Sequence, residues 1–181
     1  MELAVGERAK VQTQEKIFNV EETGKLVKEL KEEGKVVGSI EGVWDIFGIG
    51  YLKFIEFAKN QCDVLVVLVS SDQYARANKG EGRPVYNQYE RSRVLAAVNG
   101  VDIVCLEENP PALFGTEEYE NYMRYVTQTI HPDKLIVSTK ADAGVEIKKT
   151  RAASLDIEFV PYNREPDLHT TQLLQKLEEV F

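Results

Sequence analysis

The chain has 181 residues, a net charge of −8, and 43% hydrophobic and 29% charged side chains. A soluble globular domain of this length hides roughly 70% of the surface its unfolded chain exposes, so it needs no disulfide or metal staple. The acidic balance excludes general binding to nucleic acid or to an anionic membrane surface, though it leaves room for a local basic loop.

Residues 1–14 are polar and patternless and read as a flexible N-terminal arm before a domain over 15–181. No early segment joins positive charge to a long apolar run, and the longest such run, 64–69, is far too short to cross a bilayer. This predicts a cytoplasmic protein with no leader or anchor. From Phe18 the pattern turns helical, with Leu26, Val27 and Leu30 on one face and Gly34 placed as a helix-ending residue. A strand follows over 35–39, then a turn with three glycines, Gly42, Gly48 and Gly50, and an amphipathic helix over 51–59. After Asp63, the run to residue 69 is continuously apolar, as in a strand buried on both faces of a parallel sheet. Shorter runs at 101–106, 134–137 and 157–160 repeat it. Between them lie helical patterns over 87–98 and 119–130, and a last one over 170–180.

Alternation of strand and helix predicts an α/β fold, a doubly wound, mostly parallel sheet of Rossmann-like type. Ligands of such sheets sit beyond the carboxyl ends of the strands. The loops 41–50 and 70–86 and the stretch before the last helix should therefore meet at the site. Cys62 and Cys105 sit beside apolar runs without a CxxC pair or histidine cluster, which predicts buried free thiols and no metal site. The loop 70–86 and the helix after it gather Arg76, Lys79, Arg83, Arg91 and Arg93 in an otherwise acidic chain. Gly80 and Gly82 allow it to bend and Pro84 fixes its exit, so it reads either as a solvated charged loop or as a basic flap closing on phosphate.

Several of these segments together carry a resemblance. Gly42-Val43-Trp44-Asp45, the KGEGRPV loop followed by YERSRVLAAVNGVDIV, the HPDKLIV strand and His169-Thr170-Thr171 stand in order along most of the chain from Glu15. They resemble the cytidylyltransferase-like nucleotidyltransferases, most of all the adenylyltransferase domain of bacterial ADP-heptose synthases and then the glycerol-3-phosphate cytidylyltransferases. The resemblance implies transfer of NMP from ATP or CTP, with Mg²⁺, to a phosphorylated sugar or polyol, releasing pyrophosphate. It implies nucleotide or phosphate contacts from Gly42, Asp45, Lys79, Arg83, Arg91, Thr170 and Thr171, and by analogy a dimer.

The chain departs from this family at its centre. Gly48-Ile49-Gly50-Tyr51 stands where the family places His-x-Gly-His, so both imidazoles are absent and only the glycine is kept. Glu41 replaces a neutral asparagine and is expected to repel the triphosphate. The segment 138–144, STKADAG, replaces a glycine- and aspartate-rich loop, and His169 replaces a serine. Tyr51 can donate a hydrogen bond but supplies no cation near neutral pH. Three readings follow: a family member with degraded catalysis; a divergent active transferase using Lys79, Arg83, Arg91 and Tyr51, with His169; or a non-catalytic partner of an active paralogue, with Trp44, Phe47 and Tyr51 as an apolar surface.

Overall fold

Six strands, all parallel, form the centre of the computed structural model, which describes residues 13–108, 113–140 and 142–163. The strands are β1 (Ile17–Phe18), β2 (Val37–Gly42), β3 (Val64–Val69), β4 (Ile103–Leu106), β5 (Lys134–Ser138) and β6 (Glu158–Tyr162). The helices are α1 (Val20–Glu32), α2 (Ile49–Lys59), α3 (Asp72–Lys79), α4 (Gln88–Ala96), α5 (Glu117–Ile130) and α6 (Val145–Ser154). The expected last helix, with His169, Thr170 and Thr171, lies outside the described residues.

The spatial order is β1-β4-β3-β2-β5-β6. From β2 the chain steps outward through β3 and β4, then returns to place β5 on the other side of β2. The order thus reverses between β2 and β5, where crevices of this architecture open. Strand β3 explains its uninterrupted apolar sequence. Val66 and Leu68 pack beneath α1 and α5, while Leu65, Val67 and Val69 pack beneath α2 and α4. On β2 the same alternation sends Ile40 toward α2 and Val37 toward α1, which places Glu41 on the α1/α5 side. Cys105 is buried and Cys62 half-buried; both are free thiols, and burial pushes both upward, Cys105 to about 12.

Two helices depart from the expected pattern. The segment read wholly as loop over 70–86 begins with α3, capped by the Ser71 hydroxyl accepting from the Tyr74 N–H. Only Ala75 of α3 is buried, so no apolar stripe announces it. Helix α6 is hidden for a different reason: its fully buried residues are Arg151 and Ala152, and its inward side also carries Lys148. The two-residue strand β1, beside β4, is likewise absent from the sequence pattern.

Helix α1 meets α5 at Gly24, where an added Cβ would stand 2.5 Å from the Thr129 carbonyl oxygen. A mid-helix glycine costs about 1 kcal/mol of helix propensity relative to alanine, so the close approach explains its presence. Gly24→Ala should therefore lower stability by about 1–3 kcal/mol through overpacking. The midpoint of urea unfolding measures this, and an unchanged or raised midpoint would mean the helices separate freely.

Candidate functional site

A cavity of about 430 Å³ opens at the carboxyl ends of β2, β3, β4 and β5. Trp44, Tyr51 and Phe54 line one side, and Tyr74, Phe114 and Tyr119 line the other. Its entrance includes the turn from β2 into α2. Gly48 is the N-cap of α2 in extended backbone and offers no side-chain cap, so the positive end of the helix dipole is left without a capping acceptor. A side chain at Gly48 would meet nothing within 4 Å. Tyr51 is half-buried, with its ring 5.2 Å from Trp44 and 5.9 Å from Phe47. Trp44 itself is buried and donates its indole N–H to Leu68 O at 2.8 Å. The apolar surface that the partner reading would need from Trp44, Phe47 and Tyr51 is not what the rings form: the indole belongs to the core, and the other two are half-covered against it.

Asp45 and Arg91 hold the basic loop in place. Asp45, buried, accepts from Arg83 Nε at 2.6 Å and from the backbone N–H groups of Val85 and Tyr86. The Arg91 side chain is fully inaccessible. Its guanidinium donates to Tyr86 O, Ser70 O, Val43 O and the Asp72 carboxylate. One side chain thereby joins the turns after β2 and β3 to the end of the flap. This corrects the expectation for Arg91: burial and saturated bonding make it a positioning residue with no reach to a ligand. Asp45 likewise serves the flap, and brings Arg83 to the cavity edge as an ion pair. Lys79, at the end of α3, lines the cavity, is exposed, and makes no hydrogen bond or ion pair among the described residues.

Across the cavity floor runs a charge network that the sequence did not reveal. Glu41 receives Lys148 Nζ at 2.9 Å and Arg151 NH2 at 2.6 Å. Lys148 also reaches Asp142 at 2.5 Å, and Arg151 lies 3.6 Å from Glu120. Burial alone would raise the Glu41 carboxyl, but Arg151 and Lys148 outweigh it and hold the group at about 2. Burial likewise would lower Lys148, and Glu41 with Asp142 reverses that, leaving it above the ordinary lysine range. Glu41 therefore does not stand as a bare charge against a nucleotide, contrary to the sequence expectation. Its counter-ions come from α6, whose amphipathicity is ionic and so escapes a search for apolar periodicity.

Glu107, the first residue after β4, is buried and borders the cavity. One carboxylate oxygen accepts the Ser71 N–H at 3.1 Å, while Oε1 has no hydrogen-bond partner among the described residues. Burial, reinforced by the Glu41 charge, pushes this carboxyl up to about 7, against the opposing effects of the Ser71 N–H, the nearby Ser70 hydroxyl and Lys148. An acidic residue closing an apolar strand at the ligand end of the sheet was a usable signal in the sequence, and it went unread. Gly42 lines the cavity with its backbone, where an added Cβ would press the Trp44 indole at 3.3 Å. Among the described residues no group of three or more His, Cys, Asp or Glu could hold a metal ion, and no helix is long and apolar enough to cross a membrane.

This crevice, at the reversal point of an all-parallel sheet, belongs to a nucleotide-binding type of α/β fold. The cytidylyltransferase-like family model matches residues 39–176, and the chain belongs to that family. It is 31% identical over 172 residues to the bifunctional protein HldE of Rhodopseudomonas palustris (strain BisB5), covering 94% of this chain and 33% of that protein. To the HldE protein of Mesorhizobium japonicum it is 41% identical over 96 residues, covering 52% of this chain and 19% of the relative. The chain thus spans a third or less of these two relatives. Among solved structures, a lipopolysaccharide core biosynthesis protein from Thermoplasma volcanium superposes with a TM-score of 0.57 at 21% identity, over 73% of this chain and 99% of its own. A pantoate-beta-alanine ligase from Francisella tularensis gives 0.59 at 16% identity, over 90% and 76%. Both similarities support the fold alone.

Two predictions follow from the clamp and the network. Arg91→Met should cost about 3–5 kcal/mol, because Asp72 and three carbonyl oxygens lose a buried partner. Chemical denaturation measures it, and a loss below 1 kcal/mol would remove Arg91 from its role as clamp. The Glu41 carboxyl is depressed in the folded state, so its contribution is present above its ordinary value of 4.5 and is lost as pH falls toward about 2. Stability of the wild type measured from pH 5 to pH 2 should fall more steeply than that of Glu41→Gln. Parallel curves would contradict the pairing.

Proposed function

We propose that the protein binds a nucleotide at the cavity mouth and transfers NMP poorly, as a catalytically impaired member of its family. One observation carries this reading: the cations lining the cavity are already matched by the fold's own carboxylates, apart from Lys79. Arg83 is held by Asp45, and Lys148 by Glu41 and Asp142. The reaction implied by the resemblance is attack of a sugar or polyol phosphate on the α-phosphate of ATP or CTP. It proceeds by positioning the reactants and stabilising negative charge as it develops. Loss of one preorganised donor at such a charge costs about 3–4 kcal/mol, or 10²–10³ in rate, and here Gly48 and Tyr51 replace two imidazoles. What remains for phosphate is Lys79, the uncapped start of α2 and the half-committed Arg83.

The residues do not fit a protein-held Mg²⁺. Asp45 is saturated by flap donors, and Glu41 and Asp142 are neutralised by cations. The metal would arrive on the nucleotide's own phosphates. A divergent active enzyme is the second reading, favoured by Lys79 at the mouth, which has no partner among the described residues. It would have to work without Arg91, leaving Lys79 and Arg83, with Tyr51 at the turn. A homodimer, or pairing with an active paralogue, would cover Ile49, Val85 and Tyr86, which stand exposed near the entrance. A cytoplasmic setting suits nucleotide binding and is part of the proposal.

Thermal-shift titration with ATP·Mg²⁺ and CTP·Mg²⁺ tests the reading, since a ligand that binds the native state raises its apparent stability. At least one nucleotide should raise the melting temperature, and Lys79→Ala should weaken its apparent affinity by about tenfold, the loss of one charge-assisted contact of about 1.4 kcal/mol. No shift with either nucleotide would overturn nucleotide binding at this site.

A further inference from the structure

The inner end of the cavity is built differently from its mouth. Glu107 borders the cavity and is 1% exposed, yet its Oε1 has no hydrogen-bond partner among the described residues. Leaving a buried acceptor unmatched is unfavourable, more so if it is charged, and native folds rarely leave one without cause. Its surroundings select the missing partner. Beside it Glu41 and Asp142 are matched by Lys148 and Arg151, so an ionised Glu107 adds one negative charge that the network does not balance. The nearby wall is aromatic: Tyr74 and Tyr119 stack at 4.9 Å, and Phe114 meets Tyr119 at 5.9 Å. A phosphate is repelled there. A group that brings protons and positive charge completes both the unmatched oxygen and the charge balance.

We propose that Glu107 is the specificity-determining residue of an inner subsite that takes the ammonium end of a small amine, leaving anionic groups of the same or a second ligand to the mouth at Lys79. The inference rests on the preceding reading only in taking this cavity for the ligand site. Protonated Glu107 would lack the charge an ammonium needs, so amine binding strengthens as pH rises through the carboxyl's titration near 7. The groups that face it are Glu41 from β2, Tyr74 from α3, Tyr119 and Tyr122 from α5, Lys148 from α6 and Cys105 from its own strand. The tyrosines and the cysteine are held above their ordinary values by burial, and Glu41 and Lys148 stay charged, so Glu107 is the group that titrates between pH 6 and 8.

The test uses calorimetry or thermal shift with propylammonium chloride, a cation at both pH 6 and pH 8, against sodium chloride of equal ionic strength, glycerol and inorganic phosphate. The wild type should bind propylammonium roughly tenfold more tightly at pH 8 than at pH 6, following the ionised fraction of a carboxyl centred near 7, and Glu107→Gln should lose both the binding and its pH dependence. In the wild type, carboxyl ¹³C NMR of Glu107 should show its titration moving to lower pH when propylammonium is added, a readout independent of whether the variant folds. A glycerol preference, pH-independent amine binding, equal binding by Glu107→Gln, or an unmoved Glu107 titration would each overturn the inference. If ATP binds and propylammonium does not, the inference fails alone. If propylammonium binds and no nucleotide does, the nucleotide reading fails and the amine subsite stands.

Discussion

The buried guanidinium of Arg91 is the contact on which the site's shape depends. Taking a guanidinium out of water is unfavourable unless its donors are matched, and here three carbonyl oxygens and the Asp72 carboxylate match them. Those acceptors come from the turn after β2, the turn after β3 and the end of the flap. The same bonds that make the burial tolerable fix the relative positions of the segments that form the cavity mouth. Asp45 acts in the same sense from the other side, turning a buried carboxylate into an anchor for Arg83 and two flap N–H groups. The flap is therefore held by the scaffold before any ligand arrives.

That arrangement has a consequence for chemistry. Phosphoryl and nucleotidyl transfer need positive charge that is free to meet the charge developing on the reacting phosphate. In this cavity the fold's carboxylates satisfy most of the cations, and the histidine positions of the α2 turn hold Gly48 and Tyr51. Glu41, which the sequence alone presents as a source of repulsion, is the centre of a neutralised network with Lys148, Arg151 and Asp142. The site is thus less hostile to an anion than its acidic residues suggest, and in the proposed reading it is less able to drive transfer than a family member with both imidazoles. Binding retained beside weakened chemistry is what these two facts together support.

Where the sequence spoke through apolar periodicity it was informative. The continuous run at β3, the helical faces of α1 and α5, and the glycine turn into α2 all took their expected places, because burial of apolar side chains decides them. It was silent where polar groups do the packing. Helix α6 buries Arg151 and turns Lys148 inward, and α3 buries only Ala75, so neither shows an apolar stripe. For the same reason basic residues could not be sorted by sequence. Lys79, Arg83 and Arg91 look equivalent in the chain, yet among the described residues they are an exposed cation without an ion pair, an ion-paired edge residue and a buried clamp. Which role each plays depends on distant partners such as Asp45 and Asp72, and local pattern does not encode those pairings.

The central proposal, a site of the transferase family whose cations are internally matched, is tested most directly by pyrophosphate release. The purified protein would be assayed with ATP and CTP, saturating Mg²⁺ and a panel of phosphorylated sugars and polyols, alongside Lys79→Ala. The account predicts wild-type release at or little above the protein-free control. Robust release that disappears in Lys79→Ala would contradict it and establish a transferase that works without the two histidines.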